Sequence, residues 1–156
     1  MISIIIPTYN AESYLVELYK AIKSQKYTEY ELIIIDSSSN DKTVEMSREV
    51  ANIVKVIPQE LFDHGGTRDL AASLASGEIL LFLTQDAIPA NEYTFENIVE
   101  VFQNPKVTAA YGRQLNYPGT NLFGQHLRNF NYPSKTEIRS LQDIPRLGIK
   151  TAQLSN

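Results

Sequence analysis

Polar and acidic residues directly follow three apolar segments of this 156-residue chain, where they can accept hydrogen bonds or bind a cation. The three groups are Pro7-Thr8-Tyr9-Asn10, Asp36-Ser37-Ser38-Ser39-Asn40-Asp41 and Thr84-Gln85-Asp86-Ala87. If the apolar segments are parallel strands, their carboxyl ends lie along one edge of a sheet, and ligands bind in the crevice beyond that edge. We therefore expect the three groups to converge on one site.

Two carboxylates in these groups suggest specific chemistry. Asp36 ends an apolar segment and can accept the imide N–H of uracil or thymine, which would select those bases over cytosine. Asp86 suits a hard cation, because Mg²⁺ takes one or two carboxylates and completes its shell with water and substrate phosphate oxygens. For Asn10 and Asp41, helix capping and turn formation are a sufficient explanation.

A further cluster lies between the third and fourth apolar segments and contains His64, Gly65, Gly66 and Arg68. The glycine pair lets the backbone approach a ligand closely, and a helix that begins after it offers N–H groups to an anion. Arg68 in the first turn can contact phosphate or base oxygens. His64 fits either a hydrogen-bonded structural residue or a catalyst beside this phosphate loop, and the sequence leaves both interpretations open.

Short β-rich segments alternate with helical patterns along the chain. Strands are predicted at residues 3–6, 32–35, 53–57, 79–83 and 107–115. Helices are predicted after a cap at Asn10, from within residues 37–41 through Val50, from about residue 67 to 76 with Gly77 as its C′ residue, over residues 95–102, and over residues 122–130. This order predicts an α/β fold with a doubly wound, mostly parallel sheet flanked by helices.

Composition excludes several classes of protein. The formal net charge of −4 gives no basic footprint for a nucleic-acid partner, and the absence of cysteine excludes disulfides and thiolate metal sites. Pro7 interrupts the first apolar run, and no run approaches the roughly 20 residues of a membrane span, so no signal peptide or span is expected. We expect a cytoplasmic protein and leave open a peripheral association with the inner face of the plasma membrane.

Four ordered segments resemble the motifs of inverting family-2 glycosyltransferases, which have a GT-A-type fold. Residues 3–10 with Glu12 resemble the opening motif, residues 36–43 the second, and residues 66–69 with 75–78 the third. Residues 83–87 fall where the family carries its DxD metal motif. The resemblance implies a nucleotide-sugar donor bound with Mg²⁺ or Mn²⁺ at Asp86. The donor-binding residues it implies are Pro7, Thr8, Tyr9, Asn10, Glu12, Asp36, His64, Gly65, Gly66, Arg68, Gln85 and Asp86.

One departure from the family pattern points to a subgroup. Thr84 stands where the first Asp of DxD is expected, and only Asp86 remains. This form, together with residues 62–68, 111–114 and 128–133, resembles the rhamnosyltransferase-like subgroup, whose usual donor is dTDP-L-rhamnose. The resemblance implies transfer of the sugar with inversion to a glycan or lipid-linked acceptor.

The resemblance also implies that two regions of the chain have different functions. Residues 1–117 are expected to form the nucleotide-sugar-binding domain, and residues 118–156 the start of an acceptor-side region. In the family an Asp or Glu of the acceptor half deprotonates the acceptor hydroxyl, and we expect that base beyond residue 156. Arg113 and Gln114 fit either a contact with the sugar or the end of a strand.

Other functions fit the sequence less well. A dinucleotide-binding enzyme needs G-x-G-x-x-G after the first strand, where this chain has no glycine. A sugar nucleotidyltransferase would place its Gly-Thr-Arg loop after the first strand, whereas here Gly66-Thr67-Arg68 follows the third. The alternative that remains is a nucleotide-sugar-binding module or inactive homologue without transfer activity.

Overall fold

A computed structural model of the chain describes residues 1–117, 119, 121–132 and 134–147. The chain divides into two compact units, Met1–Glu96 and Asn97–Asn156, each of which is described by itself. The predicted functional boundary after residue 117 stays a prediction. None of the helices formed by the described residues is long and apolar enough to span a membrane.

The first unit is built on a four-stranded parallel sheet. Its strands are β1 (Ile2–Thr8), β2 (Tyr30–Asp36), β3 (Ile53–Val56) and β4 (Ile79–Phe82), in the order β3-β2-β1-β4. The register pairs Thr8 at the end of β1 with Asp36 at the end of β2. The predicted doubly wound, parallel α/β arrangement is confirmed, and the polar groups that follow β1, β2 and β4 lie at its carboxyl edge.

The aliphatic runs form the two central strands because those strands are covered on both faces. Ile4, Ile5 and Ile6 of β1 are fully buried, as are Ile33 and Ile34 of β2. The edge strands are less enclosed, and β4 alternates between half-buried and exposed residues. The rigid centre of the sheet therefore sets the positions of the loops after β1 and β2.

Helix α1 (Glu12–Lys23) follows β1 and packs Leu15, Leu18, Tyr19 and Ile22 into the core. The predicted cap at Asn10 is wrong: the residue before the helix is Ala11, and no side chain caps it. Asn10 instead has a left-handed backbone, with φ of 46°, and its side-chain oxygen accepts a hydrogen bond from the Asn40 N–H. Helix α2 (Thr43–Arg48) ends before Val50, which the prediction had included.

Helix α3 (His64–Leu74) begins three residues earlier than predicted. The Asp63 carboxylate caps it by accepting the N–H groups of Gly65 and Gly66 at 2.9 and 2.8 Å. The glycine pair is thus part of the first helical turn and not a loop. The predicted C′ role of Gly77 is also wrong, because the helix ends at Leu74 and Ala75 is extended.

Gly77 is a glycine because the backbone passes close to β1 at this position. A Cβ at this position would lie 2.7 Å from the backbone nitrogen of Ser3. The absence of a side chain lets the segment between α3 and β4 pass directly over the start of β1, where the Gly77 N–H donates to the Ser3 hydroxyl at 2.8 Å.

Helix α4 (Thr94–Val101) spans the division between the units and buries Phe95 completely. In the second unit, α5 (Leu122–Asn131) confirms the short helix predicted there, and α6 (Ile144–Leu147) follows. The predicted strand over residues 107–115 is wrong, since residues 107–117 pair with no strand among the residues that the structure describes. Alternating apolar residues favour an extended backbone, but a strand also requires a neighbour that completes its hydrogen bonds. Pro133 and the chain after Leu147, which the sequence analysis discussed, lie outside the described residues.

Candidate functional site

A cavity of about 270 Å³ opens at the carboxyl edge of the sheet in the first unit. It lies where a ligand crevice is expected in an open α/β sheet. Its volume is slightly below the roughly 300 Å³ at which small-molecule sites begin, so it suits one part of a ligand, such as a base. The lining residues come from the ends of β1 and β2 and from the segments after β3 and β4: Pro7, Thr8, Tyr9, Ser37, Gln59, Phe62 and Gln85.

Asp36 lies behind this cavity and is completely buried. Its carboxylate accepts hydrogen bonds from the Thr8 hydroxyl at 2.9 Å and from the Ser39 hydroxyl and N–H at 2.6 and 2.8 Å. Three donors thus satisfy a carboxylate whose burial would otherwise be costly. In this arrangement Asp36 fixes the two hydroxyls, and the predicted direct contact between Asp36 and a base stays a prediction.

Asn10 and Glu12 join the loop after β1 to the loop after β2. The Asn10 N–H donates to the Ser39 hydroxyl, and its side chain accepts from the Asn40 N–H. Glu12 accepts from the Lys42 N–H at 3.1 Å, while its own N–H donates to Asp41 at 3.1 Å. Through these bonds Asn10 and Glu12 hold together the loops after β1 and β2, which form the rim of the site.

Asp41 is the central acceptor of that link. Burial alone would raise the pKa of Asp41, but hydrogen bonds from Thr43 and from the Glu12 N–H outweigh it and hold the pKa below its ordinary value. The residue is therefore stabilised as an anion within the rim. Asp41 also receives the Thr43 N–H at 3.0 Å, which ties the start of α2 to the same loop.

Gln85 connects the end of β1 to the turn after β4. Its side-chain oxygen accepts the Tyr9 N–H at 2.9 Å, and its amide nitrogen donates to the Tyr9 carbonyl at 3.3 Å. The turn itself is closed by a hydrogen bond from the Ala87 N–H to the Thr84 carbonyl at 3.0 Å. Gln85 therefore lines the cavity and fixes the turn that carries Asp86.

Asp86 is exposed on that turn, so a metal held there would be open to solvent. Among the described residues there is no group of three or more His, Cys, Asp and Glu side chains that could hold a metal ion. This donor set does not form a closed protein cage. It does fit a Mg²⁺- or Mn²⁺-type ion that obtains most of its ligands from water and a diphosphate.

The start of α3 brings Gly65, Gly66 and Arg68 into one helical turn. The two glycine N–H groups donate to Asp63, and the Arg68 guanidinium donates to the His64 carbonyl at 2.7 Å. His64 itself is exposed and lies edge-to-face with Phe62, with ring centroids 5.2 Å apart. The two glycine N–H groups and one N–H of the guanidinium already have internal partners, so a phosphate contact through the glycine pair requires an exchange of hydrogen bonds.

Three residues of the cavity wall are not among the predicted donor-binding residues: Ser37, Gln59 and Phe62. Ser37 follows Asp36 directly, and that position was the available signal. Phe62 precedes the Asp-His-Gly-Gly segment, where an aromatic residue can form an apolar wall. Gln59 carried no signal, because it comes from the segment after β3. Arg113 and Gln114 belong to the second unit and are exposed there.

Comparison with known proteins identifies the family. Glycosyl transferase family 2 matches residues 3–154 of this chain. An O-antigen chain rhamnosyltransferase of Salmonella typhimurium is 45% identical over 157 residues, covering 99% of this chain and 50% of the relative. One of Salmonella anatum is 43% identical over 156 residues, with coverage of 99% and 50%. The chain thus spans about half the length of these curated relatives.

Solved structures show the same fold. Staphylococcus aureus TarS 1–349 in complex with UDP-GlcNAc aligns with a TM-score of 0.59 at 28% identity, over 74% of this chain and 37% of that one. The mannosyltransferase PcManGT of Pyrobaculum calidifontis in complex with GDP-Man and Mn²⁺ aligns with a TM-score of 0.58 at 26% identity, over 68% and 33%. The likeness to these transferases confirms the predicted GT-A-type fold. With its sheet, its ordered motifs and these relatives, the chain belongs to glycosyl transferase family 2.

Proposed function

We propose that this chain is the donor-binding part of an inverting glycosyltransferase that transfers L-rhamnose from dTDP-rhamnose to a glycan or lipid-linked acceptor. The observation that carries the proposal is the cavity at the carboxyl edge, because residues of the first, second and fourth family motifs line it or support its wall. The two O-antigen rhamnosyltransferases that resemble the chain over 99% of its length support the choice of sugar. They also support polysaccharide assembly as the setting.

The base of the donor would occupy the cavity. Pro7 and Phe62 provide apolar walls, and polar groups from Thr8 and Gln85 lie beside them. Uracil and thymine have flat apolar faces and a polar edge, and such a mixed lining matches that chemistry. UDP-GlcNAc in the TarS structure is a ligand of the same general class.

The diphosphate would lie between Asp86 and the start of α3. Asp86 would hold a divalent cation together with the diphosphate, and such a cation would supply positive charge that offsets the charge of the departing nucleotide. Asp86 would orient that cation. Arg68 would donate hydrogen bonds to the phosphate oxygens, and the N–H groups of Gly65 and Gly66 would do so after releasing the Asp63 carboxylate. The Mn²⁺ in the PcManGT structure supports a metal-assisted donor complex.

The transfer step is proposed for the whole protein. None of the residues that line the cavity is Asp or Glu, so the cavity wall itself offers no carboxylate to deprotonate an acceptor hydroxyl. This observation also keeps the alternative of a nucleotide-sugar-binding module without transfer activity. Transfer of labelled rhamnose to a rhamnose-accepting glycolipid by the intact gene product distinguishes the two, because a binding module gives no labelled product.

Donor binding is tested by a thermal-shift screen of dTDP-rhamnose, dTDP, UDP-GlcNAc and GDP-mannose with Mg²⁺ or Mn²⁺. A ligand that binds only the folded state raises the melting temperature by mass action. The proposal predicts the largest shift for the dTDP compounds. Equal shifts for all nucleotides, or none, would contradict it.

A further inference from the structure

Helix α5 of the second unit exposes its apolar side chains. Leu122, Phe123 and Phe130 are 83%, 71% and 77% exposed, although leucine and phenylalanine are usually buried. Because a helix turns by about 100° per residue, these three side chains and that of His126 fall within an arc of about 100°. The ring of His126 stacks on that of Phe130, with centroids 6.5 Å apart. These four residues form one exposed strip along the helix, which we call the α5 stripe.

The other side of α5 faces its own unit with polar groups. Arg128 is half-buried, and its guanidinium donates to the Leu115 carbonyl at 3.1 Å. Gln125 is half-buried as well. A helix on the surface of a protein normally buries its apolar stripe and exposes its polar residues. The arrangement in α5 is the reverse, so the α5 stripe is a surface that a partner would cover.

The second unit is basic, although the whole chain is acidic. Residues 97–156 contain seven Lys and Arg against three Asp and Glu, a formal net charge of +4. Residues 1–96 contain seven against fifteen, a net charge of −8. Lys106, Arg113 and Lys135 of the second unit are exposed. A charge asymmetry of this kind is typical of a protein that contacts a nucleic acid or a membrane.

The apolar side chains favour the membrane over the nucleic acid. Aromatic rings can stack on bases, but Leu122 and the 70% and 84% exposed Ile138 and Leu141 offer no such face. Aliphatic and aromatic side chains together match the boundary between lipid headgroups and acyl chains. The second unit thus combines apolar contact with positive charge, which are the two features that bind a protein to an anionic lipid surface.

We infer that the α5 stripe lies in the headgroup region of an anionic phospholipid bilayer, with basic residues of the second unit against the lipid phosphates. Helix α5 has ten residues and is about 15 Å long, so it lies on the bilayer and does not cross it. The inference goes beyond the proposed donor site and holds whether or not the chain binds dTDP. A chain held on a bilayer in this way would meet a lipid-linked acceptor in the same bilayer.

Two other occupants would also cover the α5 stripe. One is a second copy of this chain, and the other is the part of the longer relatives that this chain does not span. Charge favours the bilayer over a symmetric pair of chains, because a pair formed through this stripe brings two basic units together. The test below distinguishes all three.

The test compares the double variant Leu122→Ser/Phe123→Ser, the α5 variant, with the control Tyr14→Ser/Val16→Ser. The control also removes one aromatic and one aliphatic side chain from a helix, since Tyr14 and Val16 of α1 are 46% and 68% exposed in the acidic first unit. Both variants should keep the melting temperature, because exposed side chains contribute little to stability. Binding is measured by co-sedimentation with vesicles of phosphatidylcholine, with or without phosphatidylglycerol.

We expect the unmodified chain to bind the vesicles that contain phosphatidylglycerol, and to bind them less at high salt and without the anionic lipid. The α5 variant should lower the partition constant by about tenfold or more, because two large apolar side chains no longer enter the lipid. The control should bind like the unmodified chain. No vesicle binding by the unmodified chain, an unchanged partition constant in the α5 variant, or equal losses in the two variants would overturn the inference.

Three further measurements separate this inference from the alternatives. The α5 variant should bind dTDP like the unmodified chain, so a failure of the proposed function is seen independently of the vesicles. If the α5 variant converted a dimer into monomers by sedimentation equilibrium and still bound vesicles normally, a second copy would cover the stripe and the inference would be wrong. It would also be wrong if the same substitutions in the intact gene product lowered the melting temperature and left vesicle binding unchanged.

Discussion

Gln85 and Tyr9 are bonded to each other in both directions, 76 positions apart in the sequence. The side-chain amide of Gln85 pairs with the N–H and the carbonyl of Tyr9 as a strand would. This pairing extends the contact between the ends of β1 and β4 beyond the sheet itself. It makes one wall of the cavity and holds the turn that carries Asp86.

Gln85→Ala should therefore weaken dTDP binding in the presence of Mg²⁺ by about tenfold, because it removes two hydrogen bonds that hold the wall. The exposed Gln103 of the second unit provides the control, and Gln103→Ala should leave the affinity unchanged. Isothermal calorimetry measures both. A Gln85→Ala variant with unmodified affinity would show that the cavity wall does not depend on this pairing.

Gly65 and Gly66 should respond differently to alanine. A Cβ at Gly66 would lie 2.5 Å from the Asp63 carboxylate and displace the helix cap, whereas a Cβ at Gly65 meets nothing closer than 3.5 Å. Alanine favours the helix by up to about 1 kcal/mol over glycine, and loss of a cap costs about 0.5–2 kcal/mol. We expect Gly65→Ala to be the more stable variant by about 1 kcal/mol in urea unfolding. The reverse order would contradict the capping geometry.

Glu31 should contribute stability that acid removes. Burial raises the pKa of Glu31, but hydrogen bonds from the Ser3 hydroxyl and from Ser76 outweigh it and hold the pKa below the ordinary value of 4.5. A carboxylate whose pKa is lower in the folded state stabilises the protein above 4.5, and this contribution is lost as the pH falls through the folded-state pKa. Glu31→Gln should thus be less stable than the unmodified chain at pH 7. The difference in the free energy of unfolding between the two should narrow below pH 4.5. Urea unfolding at several pH values measures this difference, and a constant difference would contradict the prediction.

Arg68→Lys tests the phosphate contact at the start of α3. The guanidinium donates to the His64 carbonyl in this structure, and a planar fork is needed if it also grips a phosphate. We expect at least a tenfold loss of pyrophosphate affinity with Mg²⁺, without loss of fold as judged by circular dichroism. If Arg68→Lys binds pyrophosphate with unchanged affinity, Arg68 acts only as a positive charge or as a structural partner of its own helix.

The parallel sheet could be predicted from the sequence because its central strands are continuous aliphatic runs. The start of α3 could not be predicted, because it depends on which side chain, that of Asp63 or of a later residue, accepts the first N–H groups of the helix. The role of Asn10 was missed for a similar reason: its left-handed backbone and its bond to Asn40 arise only when the loops after β1 and β2 meet. The buried Ser37 hydroxyl, which has no hydrogen-bond partner among the described residues, is likewise invisible in a sequence, because its surroundings depend on how the loops fold.

The strand predicted over residues 107–115 illustrates a limit of local pattern. Its local residue types favour an extended chain, but Tyr111 and Leu115 are 54% and 52% exposed, and no strand of the described residues pairs with the segment. Pairing depends on residues elsewhere in the chain. By contrast, the three polar groups after β1, β2 and β4 come together at the carboxyl edge, as the order of strands and helices predicted.

The central claim is that the carboxyl edge of the first unit binds a nucleoside diphosphate together with a divalent cation at Asp86. The most direct measurement is calorimetric titration of dTDP into the unmodified chain, Asp86→Asn and the exposed control Glu45→Gln, each with and without Mg²⁺. We predict Mg²⁺-dependent binding in the unmodified chain and in Glu45→Gln, and a loss of at least tenfold in Asp86→Asn, because the diphosphate needs that carboxylate to complete the cation site. Absence of dTDP binding, or Mg²⁺-dependent binding that is unchanged in Asp86→Asn, would contradict the account.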